Sequence, residues 1–471
     1  MININPNTEA AYKLFHEGTL ALAEAEQQGM RIDMDYCEKK STHLTRKINR
    51  LEKKLKETKF YRHWEHATRG KADLNSNYQL SNFLYNIKKI NPAKTTVTGK
   101  GATDEEALSQ LGIPELNDLL QIRRLKKIRD TYLKAFVREQ VDGYIHPSFN
   151  LHTVRTFRSS SDRPNFQNIP KRDKEAFQIC RKAIYPRPGH QLMEVDFSSL
   201  EVMIAYCYHK DPTMYKYLTK PGSDMHGDMA EQIFMLDKLD RSQPEHNVLR
   251  AAAKNGFVFP QFYGDYYKNN ALSMAGTWCR LPESRKWKPN MGIPLPGGQH
   301  IGEHLISNGI KSIDDFISHI KEIEYDFWNN RFPVYKEWKE KWWINYQKKG
   351  EIHMHTGFTC RGIMGRNDCI NYPVQGAAFH CLLWCFIRTL DLIKHKGWKS
   401  RLIGQIHDAF VLDVYPPELE RLALNIRLIT TGDLPNAWPW IQVPLGVEAE
   451  LAGVDESWAE VQPYKLPKKV S

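Results

Sequence analysis

Residues 191–201 read QLMEVDFSSLE. The first half predicts a short strand fed by Leu192, Val195 and Phe197, with Asp196 at its end. Ser198 and Ser199 stand where a helix can start, and residues 201–208, EVMIAYCY, continue as an apolar helix. A carboxylate at the end of an apolar strand is costly to bury unless a proton, a partner or a metal ion compensates it. An Asp at a strand–helix junction is commonly only a helix cap. Other stretches give this one its weight.

Residues 401–415, RLIGQIHDAFVLDVY, read as a strand, a tight turn and a second strand, with His407 and Asp408 in the turn. They supply a second carboxylate on a sheet element. Residues 250–264 read RAAAKNGFVFPQFYG. Arg250 and Lys254 are four apart and share one face of a helix. With Phe257, Phe259, Phe262 and Tyr263 they make a cationic and aromatic surface, which suits a triphosphate carrying a base. The alternative is a basic helix with an aromatic core end. His226, in GSDMHGDMAEQIF, falls early on a helix, where a lone His is usually a surface or capping residue.

Residues 144–170 hold hydroxyls, amides, Arg155, Arg158 and Arg163. Such a stretch suits phosphate, sugar or minor-groove acceptors, or is an ordinary polar loop. Residues 371–390, NYPVQGAAFHCLLWCFIRTL, predict a buried helix with Gln375 near its start.

The N-terminal third predicts long basic helices. Residues 8–60 read as helical, and Leu44, Ile48, Leu51 and Leu55 form one apolar stripe. Twelve Lys or Arg against three Glu fall between residues 39 and 71, as a solvated face or as an arm along phosphates. A second helix over about 115–140 buries Leu119, Ile122, Leu125, Ile128 and Leu133, and Asp104 is placed to cap the helix before it. The formal charge of +11 on 471 residues favours a polyanionic partner, nucleic acid before membrane. The length suggests about three lobes. No run of about 18 apolar residues and no secretory signal is evident. The eight Cys are scattered, and Cys381 and Cys385 read as packing, which points to a reducing compartment without structural zinc.

Taken in order, RSSSDRPNFQNIP, DFSSLE, RAAAKNGFVFPQFYG, NYPVQGAA and QIHDAFVLDV resemble the motifs of the family-A DNA polymerases, the family of bacterial DNA polymerase I and its phage relatives. The likeness runs from GMRIDMDY at 29–36 to GVEAELAGVDESW at 446–458. It implies an α+β right-hand fold of thumb, palm with an antiparallel sheet, and helical fingers. The implied division is 1–150 for the N-terminal segment and thumb, 151–225 for the first part of the palm, 226–350 for the fingers and 351–471 for the rest of the palm. It implies DNA-directed addition of dNTPs to a primer 3′-OH with two Mg²⁺ ions. By that likeness Asp196, Asp408 and the carbonyl of Phe197 hold the metal, and Lys254 is the acid for the leaving pyrophosphate. Arg250 and His226 contact phosphates, and Tyr263 guards the nascent pair. Glu201 blocks a ribose 2′-OH. Arg158, Asn165, Gln167, Gln375 and His407 contact DNA. The implied partners are primer–template DNA and dNTPs, without a membrane, in the cytoplasm (a host's, if the source is viral). The sequence identifies neither a processivity factor nor a separate exonuclease.

Departures from the family pattern sharpen the expectations. Ala409 stands where a Glu is usual, and Ser199 where a Gln is common. The base-stacking position is Val258, flanked by Phe257 and Phe259, and the Tyr-Gly pair comes one residue late. With Pro260 inside the segment this predicts a bulge or kink, and leaves open which Phe stacks. The thumb-like part begins almost at Met1 and the Asp33-Met34-Asp35 triplet is isolated, so no proofreading is expected within this chain. The Gly/Pro-rich stretch 276–300 is expected to be an insertion that helps separate the downstream strand. Competing readings are an RNA-synthesising or reverse-transcribing enzyme on the same palm, against which Glu201 counts, and a catalytically silent DNA clamp, which Ala409 favours and the two Asp oppose.

Overall fold

Gln191–Phe197 forms the central strand of a five-stranded, wholly antiparallel sheet. In space the order is Gln462–Tyr464, Val447–Leu451, Gln191–Phe197, Ala409–Val414, Arg401–Ile406. A computed structural model describes residues 4–92, 95–96, 99–170, 173–278 and 284–468. Residues 279–283 of the 276–300 stretch therefore lie outside the described residues.

The chain divides into two compact units. The first comprises Met1–Arg46, Lys126–Thr219 and Glu337–Ser471, and the second Lys47–Leu125 and Lys220–Lys336. In the first unit the helices Thr8–Gln28 and Arg366–Lys396 pack on the sheet's strands, with Phe386 edge-on to Phe410 at 6.3 Å. Helix Arg366–Lys396 is long and apolar enough to cross a membrane, yet 78% of its apolar window is buried inside the protein, as befits a core helix. It also contains Pro373, whose missing N–H frees the carbonyl of Cys369. The indole of Trp342 donates to that carbonyl at 3.0 Å, so the helix continues without an unpaired acceptor. Cys381 and Cys385 are fully buried, as packing requires.

The helical reading of residues 8–60 is interrupted. Gly29 closes the first helix with φ of +64°, and a Cβ there would lie 2.6 Å from His146 Cε1. The chain then forms strand Met30–Ile32, paired with Tyr144–Ile145 and Ile184–Tyr185, before helix Met34–Lys56. Hydrophobic periodicity misses a three-residue strand because its ladder partners lie far along the chain.

The second unit is helical. The apolar face at Leu119, Ile122 and Leu125 is buried, and Asp104 caps its helix by accepting from the Ala107 N–H at 2.8 Å. Helices Met225–Phe234, Pro244–Ala253, Tyr267–Trp278 and Ile313–Asp326 pack around Phe257, Phe262, Phe327 and Trp328. Residues 284–300 are an irregular but pinned loop. Trp287 is buried and its main-chain N–H donates to the Lys311 carbonyl, and Arg285 forks onto Asp314.

Candidate active site

The first cluster is built by strand register. Asp196 pairs with Ala409 across the two strands, so Asp408, one residue earlier, stands at the same sheet end. The Phe197 N–H donates to the Asp408 carbonyl at 3.2 Å and fixes the turn against the central strand. His407 makes that turn with φ of +50° and is exposed. Beyond Phe197 the Ser198 N–H donates to the Gly446 carbonyl, and Ser199 takes a left-handed conformation, φ +55°. That bend starts helix Leu200–His209 and sets Glu201 in its first turn.

Arg158 ties these carboxylates together. Its Nη1 donates to Glu201 Oε1 at 2.9 Å, and its Nη2 lies 3.6 Å from Asp408 Oδ1. Burial pushes the Asp408 carboxyl up to about 6. Arg158 pulls it back, while Glu201 and Asp196 add to the rise. Its buried Oδ1 accepts no hydrogen bond among the described residues. A cation between Asp196 and Asp408 would relieve that repulsion and use that oxygen. Two carboxylates and a main-chain carbonyl are the hard oxygen donors that Mg²⁺ favours. Among the described residues no group of three or more His, Cys, Asp or Glu could hold an ion by itself. A metal there would draw further ligands from substrate or water.

Sequence reasoning missed what steadies the turn. Gln405, buried, donates from Nε2 to the His407 carbonyl at 2.5 Å and accepts from Ser159 Oγ and Gln167 Nε2. Gln167 is therefore held by the protein itself, and Asn165 accepts from the Asn168 N–H. Gln375 is half-buried on helix Arg366–Lys396. A Gln before a His-Asp turn carries no pattern that would mark it.

The second cluster lies in the second unit and is set by a local irregularity. After helix Pro244–Ala253, residues Lys254–Val258 form a single π-helical turn, and helix Phe259–Tyr263 follows. This is the expected bulge. A π turn absorbs one extra residue, which accounts for the late Tyr-Gly pair. It also widens the backbone before Pro260, whose ring would otherwise meet the carbonyl one turn back. The turn sorts the two phenylalanines. Phe257 is fully buried against Phe327, and Phe259 is half-buried on the side of Lys254 and His226. Lys254 Nζ is 5.1 Å from the centre of the Phe259 ring, and the His226 ring meets it edge-on at 5.6 Å. Tyr263 is 43% exposed at the end of this segment.

Arg250 is forked onto Asp224 through Nε and Nη2, each at 2.7 Å, a partner the sequence reading did not single out. Asp224 also caps helix Met225–Phe234 by accepting from the Gly227 N–H. Burial, Lys254 and Arg250 lower His226 to about 4, against an opposing pull from Asp224, so its ring is neutral at pH 7. Its buried Nδ1 has no hydrogen-bond partner among the described residues. Two cations, an orphaned imidazole nitrogen and one accessible ring form a polyanion-plus-ring surface.

Comparison with known proteins identifies a family and a fold. The sequence profile of DNA polymerase family A matches residues 34–273. The chain is 25% identical to DNA polymerase I of Chloroflexus aurantiacus over 97% of its own length and 44% of the relative's. It is 26% identical to DNA polymerase I of Aquifex aeolicus over 93% and 66%. With the thermostable DNA polymerase I of Thermus aquaticus the identity is 25%, over 93% and 46%. The chain thus spans about half the length of most of these relatives. Its fold matches the POL domain of Pol1 from M. smegmatis, solved with DNA primer-template and dNTP, with a TM-score of 0.72 at 23% identity, over 95% of this chain and 70% of that one. A profile that spans half the chain, with the two carboxylates in register, places this protein in DNA polymerase family A.

Proposed function

We propose that this chain is a DNA-directed DNA polymerase that adds dNTPs to a primer 3′-OH. The observation that carries the reading is the Asp196–Ala409 register, which brings Asp196 and Asp408 to one sheet end although they are far apart in the chain. On this reading Asp196, Asp408 and the Phe197 carbonyl hold two Mg²⁺ ions. When bound, such ions lower the pKa of an attacking hydroxyl and stabilise charge on the transferring phosphoryl group.

The remaining roles fall to side chains. Arg250, oriented by Asp224, keeps Nη1 for a phosphate oxygen. Neutral His226 offers an N–H to a second oxygen without drawing a proton from solvent. Lys254 neutralises the triphosphate and passes a proton to the departing pyrophosphate. Phe259, the accessible one of the two candidates, stacks on the incoming base, and Tyr263 covers the pair. Glu201, held by Arg158, occupies the space a 2′-OH would need, which favours deoxynucleotides. Arg158 and Gln375 read minor-groove acceptors common to all correct pairs. Gln167, through Gln405, positions the His407-Asp408 turn. The subdomain borders at residues 150, 225 and 350, and a cytoplasmic location, belong to the same reading.

Primer extension with purified protein, Mg²⁺ and either dNTPs or rNTPs tests it. Extension with dNTPs and little with rNTPs is expected. Efficient ribonucleotide extension would favour the RNA-synthesising alternative, and no extension by a folded, DNA-binding protein would favour the silent clamp.

A further inference from the structure

His380 is fully buried on helix Arg366–Lys396 and has no part in the chemistry above. Both of its ring nitrogens are engaged. Nε2 lies 3.1 Å from the Phe157 carbonyl oxygen, and Nδ1 lies 2.7 Å from Thr356 Oγ1. A carbonyl can only accept, so Nε2 carries the proton and donates, and the Thr356 hydroxyl donates to Nδ1. Burial lowers the imidazole to about 3, against an opposing pull from the Phe157 carbonyl. The ring is therefore neutral at pH 7 and held in one tautomer.

The carbonyl it holds belongs to a strained residue. Phe157 has φ of +58°, a left-handed conformation that a bulky side chain keeps only where its surroundings impose it. Its N–H donates to the Val154 carbonyl at 2.9 Å, and its ring lies 5.0 Å from Phe358, which meets the His380 ring at 4.2 Å. One turn earlier on the helix, Gly376 shares the face of His380. A Cβ on Gly376 would lie 2.4 Å from the Thr156 carbonyl oxygen. Two successive carbonyls, those of Thr156 and Phe157, thus rest on one helix face, and the next residue is Arg158. Its Nη1 donates to Glu201 Oε1 at 2.9 Å, and its Nη2 is 3.6 Å from Asp408 Oδ1. On its other side Ser159 donates to Gln405 Oε1 at 2.6 Å.

We propose that His380 is a positioning residue: by holding the Phe157 carbonyl it keeps the backbone left-handed there and so aims the Arg158 guanidinium at Glu201. It touches no substrate. Its effect reaches the reaction through Arg158, which holds Glu201 in the space a ribose 2′-OH would need. A short main-chain strap fixed at a strained residue directs the following side chain more sharply than a relaxed loop does. The proposal rests on the polymerase reading, which gives Glu201 its part in sugar choice.

The test is single-nucleotide primer extension by the full chain with Mg²⁺, read as the ratio of kcat/KM for a dNTP to that for the matching rNTP. His380→Asn sets its amide where Nδ1 stood, so it keeps Thr356 and loses the Phe157 carbonyl. It should lower the ratio about tenfold, because Glu201 no longer keeps its place. His380→Gln brings an amide N–H to the place of Nε2 and should restore most of the ratio. Both variants lose the packing of the imidazole, so a merely structural role would move the ratio and the melting temperature alike in the two. In an Arg158→Ala background, His380→Asn should change the ratio no further. A wild-type ratio in folded His380→Asn, or an equal fall in both His380 variants, would overturn the proposal. Gly376→Ala pushes on the Thr156 carbonyl and leaves His380 in place. It should lower the ratio too, and an unchanged ratio there decides against the proposal if His380→Asn does not fold. If the wild type extends primers and prefers dNTPs while these variants match it, only the positioning role fails. A folded wild type that extends no primer would overturn the polymerase reading itself.

Discussion

At the residue scale, burial decides between chemically equal side chains. Phe257 and Phe259 are two apart and indistinguishable in sequence, and the π turn gives one to the core and the other to the cationic face. Phe257→Ala should cost about 3–5 kcal/mol of stability by emptying a core site. Phe259→Ala should leave the urea midpoint within error and weaken dNTP affinity about tenfold. Equilibrium unfolding and single-turnover dNTP titration separate the two effects. His226 carries a pH signature. Its folded value near 4 lies below the ordinary 6.5, so between these values the unfolded chain binds more protons. The stability contributed by the neutral ring is complete above pH 6.5 and is lost as pH falls toward 4. His226→Gln lacks this term, so the wild type should lose about 1–3 kcal/mol more than the variant between pH 7 and 4. Urea unfolding at both pH values measures the difference.

At the element scale, the sheet and its end were legible in the sequence, and the supports were not. The apolar runs around Asp196 and on both sides of His407-Asp408 predicted strands that exist. Pro260 and the displaced Tyr-Gly pair predicted the bulge. The ion pair on the central strand left no pattern. Glu194 and Arg181 are both buried, with Nη1 2.6 Å from Oε2, and the Trp458 indole donates to the same oxygen at 3.1 Å. Arg181 also lies 3.8 Å above the Trp458 ring. The pairing of a strand carboxylate with the end of helix Lys174–Arg181 is fixed only by tertiary packing. Arg181→Met should destabilise the chain by about 3–5 kcal/mol, because it strands a buried charge. The double variant Arg181→Met/Glu194→Leu should recover most of that loss, as read from urea midpoints.

At the scale of the whole molecule, five short motifs in one order carried more information than any single residue. Charge and composition pointed to a polyanion, and only the motifs pointed to phosphoryl transfer. What the sequence withheld was coupling across distance: the Asp224 fork that orients Arg250, and the Gln405 link beneath the His407-Asp408 turn. The central claim is that strand register convenes Asp196 and Asp408 as one catalytic pair. It is tested most directly by single-turnover primer extension with Asp196→Asn and Asp408→Asn, beside primer–template affinity for each. Both variants should lose about a thousandfold or more in rate, with DNA affinity within about threefold of wild type. Near-wild-type extension by either folded variant would contradict the account.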